Sequence, residues 1–327
     1  MFRKAMKRVF LFTLLMLLLC SGLSEIAYAQ TANDSDTLLG VWWWNNPDSE
    51  LERLMDFAVS QGVTELYWSA GFTRPYWCEN ATSAFLFAAY ERGIAVYYLT
   101  GDWSWIHDDA GLIARLEAFR MWQESAPRAA RFAGVHLNVE PHQDPAWRYG
   151  DAAVRNALLQ GFIDLKVRTT DRFGSTDWSI PFWWRGEDVH RVYYRGELTY
   201  LYRAAILEAN RVFVMSYRNT AEDMYRISEH YLTFAREVGR PIFLSALVHH
   251  GAELETDHHV FYYPFGYTYM MNELIALQKM VDYPALGIAI HEINGWYQMW
   301  QRYLAGEDGV SLSKLQRESM YLKLAIQ

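Results

Sequence analysis

Short apolar runs alternate along the chain with longer amphipathic segments. Each apolar run has the length of a buried strand, and the segments between them place apolar residues three and four positions apart, as one face of a helix does. Gly62 follows the first amphipathic segment, at a position where a helix would end. The pattern predicts eight strands, at residues 38–45, 63–71, 94–102, 132–140, 177–184, 211–219, 240–250 and 286–293.

The predicted helices follow these strands at residues 48–61, 80–92, 108–124, 151–170, 197–209, 221–238, 268–281 and 311–325. Strict alternation of strands and helices implies a parallel sheet. Eight such units favour the closed (βα)8 barrel of the α/β class over an open sheet. No GxGxxG motif follows the first strand, which counts against a dinucleotide-binding fold. We therefore predict a single barrel domain over residues 38–327, after a short polar lead at 30–37.

The fourth predicted strand, residues 132–140, has an unusual polar face. Its apolar residues alternate with His136, Asn138 and Glu140, which therefore share one side of the strand. Polar side chains inside a parallel sheet are costly unless they are hydrogen-bonded or used. These three residues are the first candidates for function.

The composition is that of a globular protein rich in aromatic residues. Of the 327 residues, 51% are hydrophobic and 21% are charged, which excludes a disordered chain. The net charge of -8, without a basic stripe in the body of the chain, argues against nucleic acid as a partner. The 14 Trp, 22 Tyr and 17 Phe fill a core or stack on sugar rings. Their recurrence at strand ends favours a carbohydrate cleft.

The first 29 residues have the pattern of a secretory signal peptide. Basic residues precede an apolar run at 9–19 that is too short to span a membrane, and a small-x-small cleavage site ends at Ala29. Anchoring through Cys20 is the weaker alternative, because Leu19 stands where a small residue is expected. We predict a secreted or periplasmic protein without stable membrane insertion. Its only cysteine would be Cys78, so no internal disulfide can form.

A barrel of this kind binds its ligand at the carboxyl ends of the strands and in the loops after them. An aromatic or polar residue stands at nearly all of these positions in the sequence. We predict that a carbohydrate is bound there by Trp44, Trp68, Asp102, Trp103, His136, His142, Trp184, Arg218, His249, His291 and Trp296.

Glu140 ends the fourth strand and is the best candidate for a catalytic acid. A carboxyl group beside apolar walls has a raised pKa, which suits a general acid near neutral pH. The structural alternative is a glutamate at the rim that pairs with an arginine such as Arg218.

Two short motifs resemble a known family. F-A-G-V-H-L-N-V-E-P resembles the D-G-x-D-x-D-x-E motif of glycoside hydrolase family 18, whose last residue is the catalytic acid, and Met215-Ser-Tyr217-Arg resembles its M-x-Y-D motif. Ala133, His136, Asn138 and Arg218 stand where that family has aspartates. The Asn-x-Glu ending instead resembles glycoside hydrolase family 85. The chain also resembles bacterial barrel proteins described only as glycosidase-like.

The resemblance implies a mechanism in which the substrate supplies the nucleophile. Glu140 would protonate the leaving oxygen, and Asn138 would orient a 2-acetamido group. Tyr217 would hydrogen-bond the acetamido oxygen as it attacks C1. No protein nucleophile would then be needed.

A mechanism with two carboxylates is the competing chemistry, and it needs a second Asp or Glu at the rim. Glu292 is the leading candidate, although in a regular strand it would face the helices while His291 faces inward. Asp102, Glu187 and Asp188 are alternatives in loops.

No cofactor is implied, and a metal is not expected. Residues 249–250 and 257–259 are rich in histidine, but adjacent histidines on a strand point apart and no HxH or HExxH spacing occurs. Two hypotheses remain at this stage. The chain is a glycosidase that uses Glu140 as acid/base, or it is a catalytically inactive barrel that binds carbohydrate. The sequence does not indicate a protein partner.

Overall fold

The computed structural model describes residues 38–44, 50–71, 79–184, 190–248 and 260–309. The predicted signal peptide, the polar lead and the predicted last helix at 311–325 lie outside the described residues, as do Glu187, Asp188 and His249.

Eight parallel strands close into a barrel, which confirms the predicted (βα)8 fold. Around the barrel the order is β1, β10, β9, β8, β5, β4, β3 and β2, and a two-stranded antiparallel hairpin of β6 and β7 lies between β5 and β8 in the chain. The strands are β1 Leu38–Trp43, β2 Glu65–Trp68, β3 Ala95–Thr100, β4 Gly134–Leu137, β5 Asp177–Pro181, β6 Arg191–Tyr194, β7 Glu197–Tyr200, β8 Val212–Met215, β9 Ile242–Leu247 and β10 Leu286–His291.

Closure is made by β1, which pairs with a strand on each side. Leu38 is in register with Gly287 of β10, and Gly40 is in register with Glu65 of β2. A Cβ atom at Gly40 would lie 2.5 Å from the Tyr67 ring, so the glycine leaves room for that ring inside the barrel.

Helices pack around the outside of the barrel. They are α1 Leu51–Ser60, α2 Glu79–Glu91, α3 Ala110–Ser125, α4 Pro145–Tyr149, α5 Ala152–Phe173, α6 Leu201–Glu208, α7 Ala221–Val238, α8 Tyr267–Val281 and α9 Ile293–Leu304. None of the helices in the described part of the chain is both long enough and apolar enough to cross a membrane.

Two parts of the predicted pattern need correction. The connection after the fifth strand is not a plain loop, because it contains the β6–β7 hairpin, and α6 therefore begins at Leu201 and not near 197. The eighth strand ends at His291, because Glu292 caps α9, a helix that the pattern did not predict.

The buried side chains form an inner and an outer core. The inner core fills the barrel with Trp42, Tyr67, Leu99, Phe213, Phe243 and Ala289, and the outer core lies between the strands and the helices.

An ion cluster closes the barrel at the amino ends of the strands. Arg211 contacts Glu65 at 2.7 Å and Asp177 at 2.6 Å, with all three side chains buried. Glu140 and Tyr217 lie at the opposite end, just after β4 and β8.

Candidate active site

Asn138 and Glu140 lie directly after the end of β4 and contact each other. Asn138 Nδ2 donates a hydrogen bond to Glu140 Oε1 at 2.8 Å, and His142 Nε2 lies 3.1 Å from Glu140 Oε2. His142 belongs to a single 3-10 turn, Pro141–Gln143, which brings its ring back toward residue 140. The Glu140 side chain is only 15% exposed. Both carboxylate oxygens are therefore held by donors at the mouth of the barrel.

The structure reverses the expected direction of the pKa of Glu140. Burial raises this pKa, but the hydrogen bond and charge of His142, followed by hydrogen bonds from Asn138 and Gln143, together hold it below the ordinary value for glutamate. The expectation of a raised pKa took account of apolar walls alone. It is wrong because three polar neighbours stabilise the carboxylate.

Tyr217 follows β8 and belongs to the same site. Its hydroxyl lies 3.1 Å from His291 Nδ1, at the end of β10. Burial first, and then the negative charge of Glu140, raise the pKa of Tyr217. The phenol therefore stays protonated, and Glu140 is near enough for its negative charge to act on the Tyr217 hydroxyl.

The contact between Trp44 and His291 fixes how the imidazole is protonated. Trp44 Nε1 lies 2.7 Å from His291 Nε2, and an indole nitrogen can only donate. In a neutral His291, Nε2 is then the acceptor and the proton sits on Nδ1, which donates to the Tyr217 oxygen. The hydroxyl hydrogen of Tyr217 is not needed for this contact and can be donated to a ligand.

Asn138 offers a ligand a hydrogen-bond acceptor, as Tyr217 offers it a donor. Because a carboxylate can only accept, the Nδ2 group of Asn138 must face Glu140. Its Oδ1 is buried and has no hydrogen-bond partner. An unsatisfied buried acceptor of this kind costs roughly 1–3 kcal/mol, so a ligand N–H that reached it would be bound favourably.

His136 lies too deep to be the predicted sugar contact. It is 0% exposed, its Nε2 lies 2.8 Å from Ser179 Oγ, and its ring packs 4.4 Å from that of Phe213. Burial and the charge of Arg211 lower the pKa of His136, so the ring is neutral. It forms part of the inner core, below Asn138 and Glu140.

Three of the predicted tryptophans are core residues and not cleft residues. Trp68 stacks on Phe85 at 4.1 Å, Trp184 packs against Phe162, and Trp296 packs against Phe57. Each of these tryptophans is at most 2% exposed. A substrate cannot reach them, because they point from the strand ends or from α9 into the outer core.

The other rim tryptophans remain accessible. Trp44 is 36% exposed, and Trp103 is half-buried in a 3-10 turn with its ring 6.4 Å from that of His107. Arg218 is half-buried, donates to the backbone oxygen of Tyr217 at 2.7 Å and lies over the ring of Phe182.

The competing carboxylates within the described ranges have structural contacts of their own. Glu292 accepts hydrogen bonds from the backbone N–H groups of Asn294 and Gly295 and so caps α9. Asp102 accepts from the backbone N–H and hydroxyl of Ser104. Glu140 differs from both because the contacts described for its carboxylate are with side chains alone, whereas Glu292 and Asp102 each also accept from a backbone N–H group.

Two tryptophans beside the contact between Glu140 and His142 are absent from the predicted ligand contacts, although Trp183 stands among the predicted strand-end positions. Trp183 follows β5 and lies edge-on to His142, with ring centroids 5.4 Å apart. Trp147 of α4 lies 5.4 Å from Trp183. The pair Trp183-Trp184 was the available signal, because two adjacent aromatic residues after a strand can face in different directions.

No protein-family model matches the chain, and no curated protein matches it in sequence. Solved structures with a similar fold include the spore cortex-lytic enzyme of Bacillus megaterium QM B1551, at 12% identity and a TM-score of 0.46 over 81% of this chain and 73% of that one. A GH18 chitinase from Cycas revoluta is 13% identical, with a TM-score of 0.46 over 79% of this chain and 96% of that one. The exo-beta-1,4-mannosidase of an Opitutaceae bacterium is 13% identical, with a TM-score of 0.45 over 78% of this chain and 51% of that one. At these values the similarity concerns the barrel alone.

Proposed function

We propose that this barrel binds a glycan at the carboxyl ends of its strands and hydrolyses a glycosidic bond, with Glu140 as acid/base. The observation that carries the proposal is the placement of Glu140 at the barrel mouth, with one oxygen on Asn138, the other on His142, and Tyr217 close enough to sense its charge. A carboxyl group held in this way is positioned to give a proton to a leaving oxygen and to take one from water.

The free polar atoms suit a substrate that carries a 2-acetamido group. Such a group has one N–H donor and one carbonyl acceptor, and the site offers the unsatisfied Oδ1 of Asn138 and the available hydroxyl hydrogen of Tyr217. Because Asn138 Oδ1 is covered in the free protein, the side chains around it must part when substrate binds.

In the proposed reaction the acetamido oxygen attacks C1 while Glu140 protonates the leaving oxygen, so the bond between C1 and that oxygen breaks. Water then attacks C1 and gives its proton to the Glu140 carboxylate, and the acetamido group is released unchanged. The first step needs protonated Glu140. Because the pKa of Glu140 is lowered, little of this carboxyl group is protonated near neutral pH. Its protonated fraction rises as pH falls, so hydrolysis should be favoured on the acid side of neutrality.

A second candidate function is carbohydrate binding without turnover. The lowered pKa of Glu140 supports it, because a carboxyl group that is ionised near neutral pH is a poor proton donor there. Under this alternative, Glu140 accepts hydrogen bonds from sugar hydroxyls.

Replacing Glu140 with glutamine separates the two functions. The test measures binding and hydrolysis of N-acetylglucosamine oligosaccharides and of glucose oligosaccharides by the purified mature chain. For an enzyme, Glu140→Gln should lower the hydrolysis rate by at least about a hundredfold while binding persists. Unchanged hydrolysis would exclude Glu140 as acid/base, and binding without turnover by the unmodified chain would favour the second function.

Two further glutamine variants are compared with it. Glu197→Gln, on the exposed strand β7, is the matched control and should behave like the unmodified chain. Glu292→Gln keeps an amide oxygen that can cap α9. A large loss of hydrolysis in this variant would therefore support the two-carboxylate mechanism. Hydrolysis of glucose oligosaccharides would contradict the acetamido route.

We also propose that the chain is exported after removal of residues 1–29. The basic start, the short apolar run and the Ala-Tyr-Ala site support this. N-terminal sequencing of the exported protein should begin at Gln30. A mature protein that begins at Cys20 would instead support lipoprotein anchoring.

A further inference from the structure

A separate aromatic cavity lies beside Glu140, on the side of β4 and β5. Its volume is about 480 Å³, and it is lined by Trp147 of α4, the start of α5, and Trp183 and His190 after β5. This volume is in the range of small-molecule binding pockets. Its lining residues follow β4 and β5 in the chain, as Glu140 follows β4.

Trp183 connects the cavity with the candidate active site. Its ring lies 5.4 Å from that of His142, which holds the Glu140 carboxylate, and 5.4 Å from that of Trp147 on the cavity side. A molecule that occupies the cavity is therefore separated from Glu140 by two side chains.

We propose that this cavity is a subsite for additional sugar units of the glycan that reaches Glu140. The planes of Trp147 and Trp183 meet at 53°, and both rings line the cavity, where a pyranose could pack its apolar side against them. Arg155 lies 5.8 Å from the centre of the Trp147 ring and would share that ring with the sugar. The polar side chains of the lining are Asp151, Arg155, Asn156 and His190. One acidic and one basic side chain offset each other, which suits a neutral ligand with many hydroxyl groups.

The two charged residues of the lining are held in place by the backbone. Arg155 Nε donates to the backbone oxygen of Trp147 at 3.0 Å, and Asp151 Oδ1 accepts from the backbone N–H of Val154 at 3.0 Å. Both keep further donors or lone pairs for a ligand. The subsite rests on the proposed function, because it assumes that the same glycan lies against Glu140.

The test is the dependence of affinity on oligosaccharide length, measured by calorimetry with the disaccharide and the hexasaccharide of N-acetylglucosamine. The unmodified chain should bind the hexasaccharide more tightly. Trp147→Ala should weaken hexasaccharide binding by about tenfold and leave disaccharide binding unchanged. Tyr149→Ala is the control, because this neighbouring aromatic residue is 81% exposed and does not line the cavity; it should change neither affinity.

Asn156→Trp fills the same cavity without removing any packing and guards against a loss caused by misfolding. It should reproduce the loss of hexasaccharide affinity. Equal affinity for the two oligosaccharides in the unmodified chain, or full hexasaccharide affinity in both cavity variants, would overturn the subsite. If the length dependence is present but the unmodified chain hydrolyses nothing, the subsite stands and the proposed hydrolysis fails.

Discussion

Replacing His142 with phenylalanine should raise the pKa of Glu140. Burial alone would hold this pKa high, and His142 is the strongest influence that lowers it. Phenylalanine keeps an aromatic ring edge-on to Trp183, where the present rings lie 5.4 Å apart, but it removes the donor 3.1 Å from Glu140 Oε2. Glu140 then loses the His142 imidazole that stabilises its ionised form, but it stays buried.

The magnitude follows from the exposure of the pair. Glu140 is 15% exposed and His142 is 27% exposed, so solvent screens the contact only in part. A hydrogen bond to a charged group is worth about 1.5–3 kcal/mol, and the lower end of this range corresponds to roughly a tenfold change in the protonation equilibrium. At a fixed pH above the pKa, the protonated fraction of Glu140 should therefore rise about tenfold.

The same change has a consequence for stability with a defined sign. A carboxyl group whose pKa is depressed in the folded state stabilises the fold above its unfolded pKa, and this contribution is lost as pH falls through the folded pKa. His142→Phe should therefore be less stable than the unmodified chain near neutral pH, and the difference should shrink in acid.

Carbon-13 NMR of glutamate side-chain carboxyl groups provides the assay, and the signal lost in Glu140→Gln identifies Glu140. His107→Phe is the control, because His107 forms a similar contact with a different carboxylate, Asp144, at the same end of the barrel. It should leave the titration of Glu140 unchanged. An unchanged or lower pKa of Glu140 in His142→Phe would refute the reasoning.

Two further predictions concern the base of the barrel and the tautomer of His291. Arg211→Met should lower the free energy of unfolding by about 3–5 kcal/mol, because it leaves Glu65 and Asp177 buried without this arginine. Arg120→Met, at an exposed arginine, is the control and should lower it by less than about 1 kcal/mol. Similar losses for the two variants in denaturant titrations would contradict the argument. Trp44→Phe removes the indole donor to His291 Nε2, so nitrogen-15 NMR should show a new population protonated at Nε2, whereas an unchanged tautomer would disprove the assignment.

The barrel itself could be predicted from the sequence because period-two and helical patterns alternate strictly. The β6–β7 hairpin escaped notice because its turn is made by Arg195 and Gly196, with φ of 48° and 90°. Both residues of such a turn need positive φ, and Asn-Gly or Asp-Gly is the usual signal. The sequence does not predict the hairpin, because Arg195 stands where Asn or Asp is expected.

The candidate site was only partly predictable, for reasons of geometry. Period two placed Asn138 and Glu140 on one side of β4, and the structure brings them together. The same rule cannot say which of Trp183 and Trp184 faces outward, since a shift of one residue reverses the faces. The lowered pKa of Glu140 depends on a turn that returns His142 to it, and no periodicity predicts that turn.

The residues at positions 136 and 138 bear on the lowered pKa of Glu140. An aspartate at position 136 or 138 would place another negative charge near Glu140, and a like charge raises the pKa of a carboxyl group. This chain instead has His136, buried and neutral, and Asn138, whose amide donates to Glu140. At position 138 a hydrogen bond therefore stands where an aspartate would cause repulsion, and this favours the ionised form of Glu140. A general-acid step by Glu140 is therefore expected to need a lower pH, or a substrate that displaces His142 from the carboxylate and so raises the pKa of Glu140.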